Sequence, residues 1–106
     1  MAFNIKQNDT SPSLQATLTT AAGTAISLTG ASVRFHMKAI DGTVKVDAAM
    51  TITDTPNGVV QYDWQTGDTD TVGSYSVEFE VTYGDSTIET FPNNQNLTIS
   101  VVRELN

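Results

Sequence analysis

The 106-residue chain sets twelve acidic residues against five basic ones, a net charge of −7, and contains one histidine and no cysteine. That composition excludes a disulfide framework and a thiolate metal site, and its field repels a phosphate backbone, which argues against a nucleic-acid partner. No apolar run approaches the roughly 18 residues of a membrane span, and Met1-Ala2-Phe3-Asn4-Ile5-Lys6 lacks the charged and apolar regions of a signal peptide. A soluble protein with no membrane partner, not exported by the general route, is therefore expected. Its length suits one domain over residues 1–106 with a single core.

Short runs rich in Thr, Val, Ile and aromatics, broken by Gly, Pro, Asn and Asp, mark an all-β chain. No segment of helical length carries an apolar stripe at the helical period. Phe3 to Lys6 is a short alternating strand, and Gln7 to Pro12 is turn-rich, so residues 1–12 read as an N-terminal arm or edge strand. Ser13 to Thr20 places Leu14, Ala16 and Leu18 on one face, and Ala25 to Leu28 reads as a brief strand that stops near Gly30. From Ala31 to Lys38 the alternation is clean: Ala31, Val33, Phe35 and Met37 point inward, while Ser32, Arg34, His36 and Lys38 point outward. Asp41-Gly42 is a hairpin signal with a return over Thr43 to Val46. Ala49 to Asp54 reads as one strand, Pro56-Asn57-Gly58 as a turn, and Val60, Tyr62 and Trp64 as the inward residues of the next strand.

The stretch from Asp68 to Phe79 is a tight turn that climbs into a buried strand. Gly73 can take a positive φ, Asp70 can hydrogen-bond its own backbone, and Tyr75, Val77, Phe79 and Val81 alternate with Ser76, Glu78, Glu80 and Thr82. A Tyr two residues after such a Gly resembles the tyrosine corner of immunoglobulin-like sandwiches, in which a buried ring sends its hydroxyl back to upstream backbone. Val77 stands where those domains carry the disulfide cysteine. Tyr83-Gly84-Asp85-Ser86 closes a further hairpin, Pro92 to Asn96 interrupts the run that follows, and Leu97, Ile99 and Val101 form the last alternation. The expected fold is an all-β, immunoglobulin-like antiparallel sandwich of about eight or nine strands without a disulfide.

The residues that could carry chemistry form surface features rather than a catalytic constellation. His36 stands alone between Phe35 and Met37 with no partner motif. Asp63, Asp68 and Asp70 are the densest acidic group, but reading Asp68 as the first position of a calcium loop puts Val72 and Phe79 where oxygen ligands belong. They are read as turn-capping carboxylates. Asp63 with Glu78 or Glu80 offers carboxylates of the kind glycosidases pair, yet all lie on outward faces, where a solvated surface accounts for them. Phosphate-cradling glycine loops are absent, and Asn8-Asp9-Thr10 and Asn96-Leu97-Thr98 match the glycosylation triplet without a signal peptide to give it meaning. Tyr62, Trp64 and Tyr83 would make a sugar-stacking platform if exposed, whereas alternation places Tyr62 and Trp64 in the core. No enzyme, cofactor or metal is expected.

Several blocks carry a family resemblance. Phe3 to Leu14, Leu28 to Met37, Gly58 to Trp64, Asp68 to Tyr75 and Thr90-Phe91-Pro92-Asn93 follow one another as in the immunoglobulin-like N-terminal domain of phage baseplate upper proteins, which these blocks resemble. The resemblance implies a tailed-phage virion component, made in the bacterial host cytoplasm, that docks onto other structural proteins in multiple copies of a symmetric assembly. In that family the domain anchors a longer chain bearing the receptor-binding apparatus. This chain stops after Asn106 without a stalk, so the expected role is an adaptor on the tail or baseplate, or a decoration of neck or capsid. A carbohydrate-binding sandwich that aids host attachment is the alternative. Sheet edges suit strand addition, and the candidate docking edges are Phe3 and Ile5 in the first strand and Pro92 and Asn93 in the interrupted one.

Overall fold

A computed structural model describes residues 2–91 and 97–103. Among them lie nine strands and no helix: β1 (Ala2–Lys6), β2 (Leu14–Thr17), β3 (Ser32–Ala39), β4 (Val44–Ala49), β5 (Thr51–Asp54), β6 (Val59–Tyr62), β7 (Gly73–Thr82), β8 (Ile88–Phe91) and β9 (Leu97–Val102). They form two sheets. The larger runs β1-β9-β7-β3-β4, with β8 also paired to β7, and the smaller runs β2-β6-β5. All pairings are antiparallel except that of β1 with β9. This order is that of an immunoglobulin-like sandwich, with β2, β6 and β5 as strands B, E and D and β3, β7 and β9 as C, F and G.

The core is the product of alternation on facing strands. Val33, Phe35 and Met37 of β3 meet Val77, Phe79 and Val81 of β7 in register, with Phe35 opposite Phe79, so that apolar side chains of both strands line the same face. Phe35 sits at the centre of an aromatic group, 4.8 Å from Tyr62 and 5.9 Å from Trp64 and Phe79 between ring centroids. Val77 is buried at the place of the missing cysteine. The Asp41-Gly42 turn joins β3 to β4, closed by the Gly42 N–H on the Ala39 carbonyl and the Ala39 N–H on that of Thr43.

Two segments depart from the sequence reading. Ala25 to Leu28 is not a strand: it makes one isolated bridge, Thr19 with Ala25, and single bonds from Ile26 to Leu18 and from Leu28 to Thr55. The chain crosses between sheets there, so no partner runs alongside it for a ladder, although Leu28 is buried. The span from Ala49 to Asp54 is divided. Ala49 ends β4 in the large sheet, Met50 donates its N–H to the Val33 carbonyl, and β5 begins at Thr51 in the small one. Alternation reports which face is buried but carries no signal of a change of sheet. β8 and β9 lie along the same side of β7, with Phe91 opposite Phe79 and Leu97 opposite Val77.

Candidate docking site

β1 forms one border of the large sheet: it pairs with β9 alone and has no strand on its other side among the described residues. Its main chain is therefore open on that side to strand addition. Phe3 and Ile5 do not point at this opening. Ile5 is in the core, and half-buried Phe3 packs on Trp64 with ring centroids 6.1 Å apart. They anchor the edge from within, so backbone groups, not these two side chains, are what the edge offers a partner. Pro92 and Asn93 lie outside the described residues.

The end of β1 is stitched to the loop that precedes β7. The Gln7 N–H donates to the Val102 carbonyl, and its side-chain amide donates to the Asp70 carbonyl at 3.0 Å. The Asn8 N–H reaches the Thr69 carbonyl, and the Thr69 hydroxyl donates to the Asp9 carbonyl at 2.8 Å. Asn8 holds a φ of 70° within this contact. The polar stretch after β1 is thus fastened at its start rather than trailing free.

That loop rests on two tyrosines. Tyr75 is 4% exposed, and its hydroxyl donates to the Thr71 carbonyl at 2.6 Å, with Gly73 between them at a φ of 154°. Asp70 also reaches beyond its own turn: its carboxylate accepts from the Lys45 ammonium of β4 and from the Thr71 hydroxyl, which, with a smaller part from its own backbone N–H, hold its pKa below the usual carboxylate value. Asp68 is the residue that braces the loop. Its Oδ2 accepts from the Tyr62 hydroxyl at 2.5 Å and from the Gln65 N–H at 2.8 Å. Burial, with Asp68 adding to it, raises the Tyr62 pKa well above that of a free phenol. The Gln65 contact is the turn capping read for Asp68 in sequence, whereas its bond to Tyr62 and the tie made by the buried Thr69 were not legible there, because those partners lie in β6 and in the segment after β1. A hydroxyl at a tight corner was the one available signal.

The remaining sequence candidates are dispersed. Asp63 is exposed and accepts from the Ser13 hydroxyl and the Gln61 amide, which lower its pKa. It follows β6 of the small sheet, whereas Glu78 and Glu80 lie in β7 of the large one. No three His or carboxylate side chains among the described residues are grouped to hold a metal ion. His36 lies on the outward face of β3, its Nδ1 3.4 Å from an Asp47 oxygen that also receives Arg34. Tyr62 and Trp64 are 5% and 4% exposed and pack edge to face, so the aromatic platform a carbohydrate site would use is core. Tyr83 is half-buried, with its hydroxyl on Glu89 at 2.8 Å.

A family model described as the BppU N-terminal domain matches residues 2–105. No curated protein matches the chain. Among solved structures, the chain is similar to CopC from Methylosinus trichosporium OB3b, with a TM-score of 0.57, 18% identity, and coverage of 98% of this chain and 86% of that one. At that identity the likeness is one of fold.

Proposed function

The chain belongs to the BppU N-terminal domain family, the N-terminal domain of phage baseplate upper proteins, and from that premise we propose that it is a non-enzymatic adaptor that docks onto other virion proteins. The observation that carries this reading is the family match over nearly the whole chain. The open β1 border, stiffened by the core contacts of Phe3 and Ile5 and by the stitched loop behind it, supports strand addition as the mode of docking. Backbone pairing supplies affinity along such an edge, and the side chains on either face supply specificity. The adaptor works in several copies on the tail or baseplate, with neither nucleic acid nor membrane as its partner, and is made in the host cytoplasm before assembly.

Cross-linking mass spectrometry on intact particles tests this. Lys6, the last residue of β1, reports on the proposed edge. Cross-links from Lys6 to tail or baseplate proteins are the expected result. Cross-links to the major capsid protein would make the chain a capsid decoration, and its absence from purified particles would overturn the reading.

A further inference from the structure

The outward face of the large sheet is divided by charge along its strands. The registers place His36 opposite Glu78 and Arg34 opposite Glu80 in one half, and Lys38 opposite Ser76 and Ser74 opposite Ser100 in the other. Lys6 lies opposite Val102 at the far end of that second half. On its strands the second half carries no carboxylate, only lysines, the Asn4 amide, small hydroxyl side chains and aliphatics. Arg34, the one strong cation of the first half, is already held by Asp47. By contrast the side chains of Lys6, Lys38, Glu78 and Glu80 have no hydrogen bond or ion pair among the described residues. The exposed aliphatics are divided as well: Val102 lies in the lysine half, and Ile88, opposite Thr82, ends the glutamate half.

We infer that this face pairs with the same face of a second copy about a two-fold axis that runs across the strands. Reversing the strand direction sets the lysine half of each copy over the glutamate half of the other. Ser76 and Ser74 of β7 then meet Glu78 and Glu80 of the facing β7, Lys38 comes beside Glu78 one strand away, and Val102 meets Ile88, because β8 and β9 occupy the same side of β7. Each contact occurs twice, as an isologous interface requires. The strand positions that overlap under this rotation, β3, β7 and the side shared by β8 and β9, at about 4.8 Å spacing and some 30 Å of strand length give roughly 430 Å² per copy, the size of a weak, transient contact. The pairing is therefore reversible and salt-sensitive. It uses a sheet face and not the β1 border, so it holds or fails independently of the docking reading above.

Sedimentation velocity of the full chain over a concentration series tests the pairing. The expected result is a monomer–dimer equilibrium that weakens between about 0.05 M and about 0.5 M salt, where the Debye length shortens severalfold. Lys38→Glu alone and Glu78→Lys alone each set like charges against one another twice, and each is expected to weaken the dimer by about tenfold or more. An equimolar mixture of the two variants places opposite charges at both contacts and is expected to restore dimer to the wild-type level. A wild-type chain that stays monomeric throughout, a dimer indifferent to both reversals, or a mixture no tighter than either variant would each overturn the inference.

Discussion

Replacing Tyr75 separates the two jobs its side chain performs. The ring is 4% exposed at the start of β7, and its hydroxyl donates to the Thr71 carbonyl at 2.6 Å. Tyr75→Ala removes a buried aromatic from a packed core and should cost about 3–5 kcal/mol. Tyr75→Phe keeps the ring and loses one neutral hydrogen bond, and because Thr71 is exposed, water can reach its carbonyl, so the cost should be about 1 kcal/mol. For a domain of this size that is a fall in Tm of roughly 5 °C. Tyr62→Phe provides an internal standard. It removes a hydrogen bond to the Asp68 carboxylate, a charged acceptor, and should cost about 1.5–3 kcal/mol, more than Tyr75→Phe. Urea unfolding followed by circular dichroism gives all three values from midpoints at a common slope. If Tyr75→Phe were as damaging as Tyr75→Ala, or if Tyr62→Phe cost less than Tyr75→Phe, the roles assigned to these hydroxyls would be wrong.

Gly58→Ala should destabilise well beyond the roughly 1–2 kcal/mol of a left-handed alanine, since at φ 69° the added Cβ would lie 2.8 Å from the carbonyl oxygens of both Ile26 and Leu18; Gly42→Ala, at φ 90° in open space, should cost only the backbone strain, and equal urea midpoints would refute the contrast. Trp64 emission should be blue-shifted and poorly quenched by iodide, as befits an indole 4% exposed against Phe35 and Tyr62, and a red-shifted, readily quenched spectrum would place the ring on the surface. Stability should fall in acid: Asp41, Asp63, Asp70 and Asp85 all have pKa values lowered in the fold by hydrogen bonds, so their contribution is present above the unfolded carboxylate value of about 3.9 and is lost as pH falls through the folded values. Urea midpoints measured from about pH 5 to about pH 2 check this, and Asp70→Asn should flatten the curve. At the other extreme, Tyr83, pushed up to about 12 by burial and by Glu89, and Tyr62, raised further, stabilise fully below the free phenol value of about 10 and lose that contribution as pH rises through the folded ones; a midpoint that does not fall above about pH 10 would contradict it.

The sequence by itself determined most of the strands and, for the central ones, the faces they bury. Alternation from Ala31 to Lys38 and from Tyr75 to Thr82 is a local property, set by the opposite directions of successive side chains, and β3 and β7 follow it. Gly73 and Tyr75 sit two positions apart on one corner, so the spacing alone brought the hydroxyl within reach of upstream backbone. Only the tertiary structure decided which strands share a sheet, where Met50 carries the chain from one sheet to the other, and that Ala25 to Leu28 has no ladder to join. It also decided that Asp68 braces the corner while Asp70 turns to Lys45, and that Thr69 ties down Asp9, a residue far back in the chain. Those outcomes depend on partners distant in sequence, whose approach is fixed by the packing of two sheets around Phe35 and not by the preferences of any one segment. The same holds for the division of charge on the outer face: Lys38 and Glu78 are forty residues apart, and register alone sets them on adjoining strands two positions out of step, one in each half.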